Sequence, residues 1–348
     1  MSRLSTPLTD ALGTDVPIVQ APIGSATCPP LAASVADAGA LGMVAVTWCD
    51  ESTTRRLLSE LEDRTDGRFG VNIVMDESAT AFSAATHVDV CLDAGVDVFS
   101  FSFGEAAPFV DRVHAEGGTV LQSVGSAEEA REAVESGVDI VVAQGWEAGG
   151  HVQSDVATMP LVPRVADAVS DTPIVAAGGI ADGRGIAATL SLGADGAWLG
   201  TRFLATEEAH VHRLYRRRVL EASETETVRS TLFDDGWPNV PHRVIENSTV
   251  DEWASAGAPE HDRPGDGDVV AKTRDGEPIR RYEDSLAVPG MEGDVEALPL
   301  YAGQSVGLTE SALSAGELVS VLIDETMDAL ERASDYRTAD ERKEQDSG

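Results

Sequence analysis

Between Asp139 and His151 the chain reads Asp-Ile-Val-Val-Ala-Gln-Gly-Trp-Glu-Ala-Gly-Gly-His. A short apolar, largely β-branched run breaks there into a loop. The loop carries an amide (Gln144), a carboxylate (Glu147), two adjacent glycines and an imidazole. A buried strand that ends in glycines and polar groups is how α/β enzymes present chemistry at the edge of a sheet. An imidazole titrates near neutral pH, so His151 on such a loop could take or hold a substrate proton. A surface-loop histidine would look similar, and the chain has other candidates for that in His87, His114 and His261. Position at the end of a buried strand sets His151 apart. Glu147 suits an anchor for the loop better than an acid.

Two more glycine turns carry a second kind of chemistry. One is Ala176-Ala177-Gly178-Gly179-Ile180, followed by helical sequence from Asp182-Gly183; the other is Trp198-Leu199-Gly200-Thr201. In barrels, the loops after the seventh and eighth strands commonly grip a phosphate through backbone N–H groups. Glycine permits that approach because a side chain would block it. Ordinary tight βα turns are the plainer reading. With so few lysines, a dianion here would need backbone amides and Thr201 as donors.

Amides form the third group. Asn72 closes Phe69-Gly70-Val71-Asn72, while Gln122 and Gln144 come from the two strands at positions five and six. An amide can donate to a ring carbonyl and accept from a ring N–H. Three amides at one mouth, with no cluster of metal ligands, suggest a heteroaromatic cofactor rather than hydrolysis. Cys28 and Cys49 have no basic neighbour in sequence and read as small core residues. His210 and His212 fall on opposite sides of a helix. No GxSxG elbow, Walker loop or HExxH occurs.

These groups need a scaffold, and eight short β-type runs supply it: Pro17–Pro22, Leu41–Val46, Phe69–Val74, Val98–Phe103, Thr119–Val124, Asp139–Gly145, Pro173–Gly178 and Gly196–Thr201. They are apolar with little alternation, as expected of parallel strands buried on both faces. Helical segments lie between them, at 30–38, 52–62, 126–136, 161–168 and 183–192, several closed by a glycine turn. Eight βα units predict an α/β fold, a closed (β/α)8 TIM barrel, with an open doubly wound sheet as the competitor. The barrel core is expected over 1–232, with charged helical sequence over 207–229. An irregular Gly/Pro/Asp-rich insertion over 233–296 reads as a lid. A return segment and closing helix follow over 297–330, the helix over 317–330, and then a charged, frayed tail over 331–348.

Composition bounds the partners. The chain has 348 residues and 42% hydrophobic content, with no apolar run long enough to span a membrane. Three cysteines without CxxC spacing argue against disulfides or zinc and fit a reducing cytoplasm, and no signal peptide is visible in Met1–Asp10. The net charge is −35, with only Lys272 and Lys343 as lysines. Such a field disfavours nucleic acid and anionic membranes and suits a solvated surface in high salt. A homo-oligomer is compatible with it.

Taken in order, Pro17–Pro22, Gly70-Val71-Asn72, Gln144–His151, Ala176–Gly183 and Gly200-Thr201-Arg202-Phe203 resemble nitronate monooxygenases, formerly called 2-nitropropane dioxygenases. FMN-dependent enoyl-acyl-carrier-protein reductases and NADH:quinone reductases of the same superfamily share the block. The resemblance runs over residues 15–206, and Tyr301–Leu308 resembles the family's C-terminal return segment. It implies FMN in a (β/α)8 barrel. Asn72, Gln144, Gly149, Gly179 and Trp198, Leu199, Gly200 and Thr201 match flavin-contacting positions. Ala21 and Pro22 would face the ring, and Gln304 and Ser305 would close over it. Trp198 departs from the pattern, standing where many relatives carry Gln. His151 matches the active-site histidine. The implied reaction is oxidation of an alkyl nitronate, a small-molecule substrate, by O2 to a carbonyl compound and nitrite. The alternative is an NAD(P)H-dependent FMN oxidoreductase acting on a quinone or an enoyl thioester.

Overall fold

The computed structural model describes residues 4–80 and 82–345, with side chains to residue 336. All eight expected runs are strands: Ile18–Gln20, Gly42–Ala45, Phe69–Val74, Val98–Ser102, Thr119–Val124, Ile140–Gln144, Ile174–Ala177 and Gly196–Leu199. Each pairs in parallel with its neighbour in sequence from the second onward, and the eighth pairs with the first at Ile18↔Ala197. A parallel bridge between Val19 and Leu41 closes the ring. There the Gln20 N–H donates to Leu41 O and the Leu41 N–H to Ile18 O, both at 3.0 Å. The sheet is therefore a TIM barrel and not an open, doubly wound one.

Alternation along the strands divides the core. Val19, Met43, Leu121, Val142, Val175 and Trp198 fill the barrel interior. Their neighbours Ile18, Val44, Val120, Val141, Ala176 and Leu199 face outward into the helical layer. Both faces are apolar, which is why the strands show no alternation in sequence. A helix at Pro7–Leu12, capped by Thr6, places Leu8 and Leu12 in the interior cluster and closes the floor.

The helices fall near their expected places, at Pro29–Asp37, Glu51–Glu62, Ala127–Glu135, Thr158–Ala166 and Gly183–Ser191. Two stretches differ from expectation. The charged 207–229 segment is helical only over Arg213–Glu221 and ends in a strand, Thr227–Ser230. The closing helix runs over Ala315–Gln345 instead of fraying after residue 330. It packs on the Gly183–Ser191 helix so closely that a Cβ on Gly183 would lie 2.2 Å from the Thr326 backbone nitrogen. Among the described residues no helix is long and apolar enough to cross a membrane.

The irregular insertion contains regular elements. A strand at His242–Ile245 pairs with Thr227–Ser230 on one side and with the short strand Gly150–His151 on the other. A helix at Ser248–Ser255 follows, and then a small sheet of Val269–Lys272, Pro278–Arg280 and Glu292–Gly293. Their apolar residues, among them Phe233, Val244, Val250 and Tyr282, meet in one cluster although they come from short elements far apart in sequence, so no hydrophobic period marks them.

Candidate active site

A cavity of about 440 Å3 opens at the C-terminal ends of the barrel strands. Its size is that of a site for a cofactor or drug-sized ligand. Of the residues expected from sequence, Ala21, Pro22, Asn72, Gln144, Gly149, His151, Gly178, Gly179, Trp198, Gly200, Thr201 and Ser305 line it.

Three expected residues do not. Gln122 sits on the outward face of its strand, where its Oε1 accepts the Ala106 N–H at 2.8 Å; Ser123, one residue on, lines the cavity instead. Leu199 is likewise on the outward face, packed in the helical layer, and reaches the first strand only through its carbonyl, which accepts the Ala21 N–H at 2.8 Å. Gln304 is exposed, and its backbone N–H donates to Glu147 O, while Gly303 and Ser305 on either side face inward. For Gln122 and Leu199 the difference is one of strand parity, since a slip of one residue moves a side chain to the other face; Gln304 instead opens a 3-10 turn, Gln304–Leu308, with its side chain outward.

The amides divide their work. Asn72 is buried in the lining, and its Nδ2 donates to Ser102 Oγ at 3.4 Å. Gln144 holds the histidine loop: its Nε2 donates to His151 O at 3.2 Å and its Oε1 accepts the Gln153 N–H at 2.9 Å. Gln153 in turn donates to Glu129 at 2.7 Å. Glu147 is the expected anchor, with Oε2 accepting from the Thr158 N–H and hydroxyl at 2.8 and 2.9 Å. The return segment seals the loop from outside, where the Gly303 N–H donates to Thr201 Oγ1 at 2.9 Å.

His151 stands in an aromatic box. Its ring centroid lies 4.1 Å from that of Trp237, 5.5 Å from those of His242 and Tyr301, and 6.3 Å from that of Phe103. Phe103 holds a left-handed backbone, φ 56°, which is strained for a bulky residue and turns the chain away at the end of its strand. The His151 side chain is 11% exposed, and its Nε2 is buried without a hydrogen-bond partner, 3.7 Å from Asp284 Oδ2. Burial first, and then the neighbouring His242, push the imidazole pKa well below its usual range, so the ring is neutral at pH 7. Asp284 is pushed the other way, up to about 6, by burial, against the lowering effect of a hydrogen bond from the Tyr301 hydroxyl.

Sequence reasoning missed Asp284, Trp237, Tyr301 and Phe103 as site residues. The first two lie in the stretch read as a lid, and a buried tryptophan or carboxylate there leaves no local mark. Pairing between the lid's two arms brings them in. Asp284 N–H donates to Asp235 O at 2.8 Å, and the Asp235 N–H to Tyr282 O at 3.1 Å. The Trp237 indole N–H donates to Asp76 Oδ2 at 2.9 Å, tying the lid to the barrel. The cysteines offer no alternative nucleophile: burial raises the thiol pKa of Cys28 and Cys49, and that of Cys91 to about 12.

The cavity's donors fit a flavin. Gly178 and Gly179 have positive φ, 104° and 72°, which turns the chain sharply after the seventh strand. Among the described residues no acceptor takes the N–H of Gly179 or Ile180, and both line the cavity. Backbone amides at such a turn suit a phosphate. Among the described residues the lining has no lysine or arginine, so these amides and Thr201 are the available donors. Asn72, Ser102 and Ser123 supply polar edges for a heteroaromatic ring, and Ala21, Pro22 and Trp198 its apolar walls.

Comparison with known proteins places the chain in a family. The family model for nitronate monooxygenase matches residues 5–325. A dehydrogenase from Mycobacterium tuberculosis, named for a hydroxy-methyl-oxo-octahydroindene carboxyl-CoA, is 33% identical over 95% of this chain and 99% of its own length. The structure of FabK from Thermotoga maritima superposes with a TM-score of 0.82 at 30% identity, covering 96% of this chain and 99% of that one. A nitroalkane oxidase from Streptomyces ansochromogenes gives a TM-score of 0.75 at 30% identity, covering 92% and 98%. The protein is an oxidoreductase, and the chain belongs to the nitronate monooxygenase family.

Proposed function

We propose that this protein uses FMN to oxidise alkyl nitronates with O2, yielding a carbonyl compound and nitrite. The observation that carries the proposal is His151: a neutral, buried imidazole in a cavity lined by amides and glycine turns. A bound flavin supplies the electron sink for the substrate and the route of electrons to O2. A single glycine cradle for one phosphate favours FMN over a dinucleotide.

This chain's residues do the rest. A neutral imidazole is a competent proton acceptor at pH 7, and His151 takes the α-proton when the substrate arrives as a neutral nitroalkane. The nitro oxygens, which gain charge as that proton leaves, would meet neutral donors such as the Asn72 amide. Trp237, Leu286, Val288 and Met291 from the lid wall the cavity and keep water from the reacting atoms. We assign residues 233–296 that lid role, over a barrel of residues 1–232.

A second reading is favoured by the two relatives that align along nearly their whole length, one named for a CoA thioester and one a FabK. It is an NAD(P)H-dependent reduction of an enoyl thioester or a quinone. An acyl carrier would want a basic docking patch. The arginine run 213–218 is the candidate for it; there Arg216 donates to Glu207 O and Ala209 O, and Arg218 to Glu246 O, contacts that hold the side chains without removing their charge.

One experiment separates the readings. The purified, FMN-loaded protein is mixed anaerobically with an alkyl nitronate and, separately, with NADH, while the visible flavin spectrum is followed. Reduction by nitronate and none by NADH is the expected result. Rapid bleaching by NADH alone would overturn the proposal.

A further inference from the structure

We propose that Asp284 is a positioning residue that sets which ring nitrogen of His151 carries the proton, and so whether the histidine acts as base or donor. The geometry is the basis. Asp284 Oδ2 lies 3.7 Å from His151 Nε2, and among the described residues no group hydrogen-bonds that nitrogen. Both side chains are nearly enclosed, at 13% and 11% exposed. The other carboxylate oxygen, Oδ1, accepts from the Tyr301 hydroxyl, so only Oδ2 is left to face the ring. A small rotation of the imidazole closes the remaining gap, and contacts of this kind tighten in the reacting complex.

A neutral imidazole has one N–H and one lone pair. With Asp284 ionised, the hydrogen belongs on Nε2, where it meets the carboxylate, and Nδ1 is left as the base. With Asp284 protonated, the carboxyl donates to Nε2, the ring proton moves to Nδ1, and the histidine becomes a donor suited to an anionic nitronate. No net charge moves on the ring in either case. The proton bound or released belongs to the carboxyl.

The surroundings leave Asp284 as the group that titrates here. His242 faces His151 from the neighbouring strand, but its pKa is lowered to about 4, and its Nε2 accepts the Phe233 N–H. Burial pushes the Tyr301 phenol well above its usual range. Asp76, behind Trp237, is held below the usual carboxylate range with the indole N–H among its donors. Arg243, whose backbone pairs with Gly150, turns its guanidinium away to the Trp146 carbonyl. Asp284, raised to about 6, changes charge between pH 5 and 8.

The inference rests on the reading of His151 as the proton-handling residue, yet its test needs no substrate. The full chain, loaded with FMN and labelled with 15N-histidine, is titrated from pH 5 to pH 8, and the imidazole nitrogens of His151 are read by NMR. The expected result is an Nε2–H tautomer at high pH and an Nδ1–H tautomer at low pH, the ratio changing by more than about tenfold across an apparent pKa near 6. Asp284→Asn should abolish the pH dependence. Tyr301→Phe, which removes a hydrogen bond that favours the carboxylate, should move the midpoint upward and serves if the first variant does not fold. A tautomer that stays constant from pH 5 to 8, or a midpoint that neither variant alters, would overturn the assignment. Failure of nitronate turnover with the tautomer switch intact would instead indict the proposed reaction.

Discussion

Gly149 and Gly303 meet backbone to backbone: a Cβ built on Gly149 would lie 2.3 Å from the Gly303 nitrogen, and one on Gly303 would lie 2.9 Å from the Gly149 nitrogen. The histidine loop and the C-terminal return segment can therefore touch only because both positions lack side chains. Gly149 is glycine for the sake of this contact, even though it also lines the cavity. Gly149→Ala should force the two segments apart and destabilise the fold by about 1–3 kcal/mol, as overpacking does. Thermal melts with and without FMN would show it, together with a loss of turnover as His151 shifts.

Gln122 should behave as a structural residue. Gln122→Leu keeps the bulk but leaves the buried Ala106 N–H without its acceptor. The expected cost is about 1–3 kcal/mol of stability, measured by urea unfolding, with FMN affinity unchanged. A large fall in FMN affinity at wild-type stability would show that the amide reaches the cofactor after all.

His151→Asn separates base from binding roles. Loss of a positioned base should lower kcat/KM on a neutral nitroalkane by about 10²–10⁴-fold. The pre-formed nitronate needs no deprotonation and should lose less than about tenfold. Equal losses on the two substrates would place the residue in binding alone.

Stability against pH should carry two opposing contributions. His242 has a folded pKa of about 4, below its ordinary 6.5, so the unfolded chain takes the proton first. Its contribution is full above pH 6.5 and is lost as pH falls toward 4. Asp284 has a folded pKa of about 6, above its ordinary 3.8. Its burial costs stability at pH 7, and that cost disappears as pH falls through 6 to 4. Each contribution is of order 3 kcal/mol, so these two largely offset one another, while the buried His151 imidazole, also held low, adds to the loss on acidification. Relative to wild type, His242→Asn should gain stability on acidification and Asp284→Asn should lose it. Denaturant unfolding at pH 7 and pH 4 checks both signs, since ordinary surface carboxylates cancel in the comparison.

The amino-acid sequence by itself determined the eight strands, because each is apolar on both faces and bounded by glycine or proline. It also determined the glycine turns at 178–179 and 200–201 and the histidine at 151, because local chemistry marks a strand that ends at a mouth. The same double burial hid the parity of those strands. Nothing in Thr119–Val124 distinguishes the face of Gln122 from that of Ser123, and only closure of the barrel turned one inward and the other out. Tertiary structure alone decided the company of His151. Trp237, Asp284 and Tyr301 come from segments far along the chain, brought in by pairing of Asp235 with Asp284 and of His242 with His151. Contacts between distant segments leave no period or spacing in either one. The chemistry of the histidine, neutral and facing a carboxylate, is therefore a property of the folded mouth.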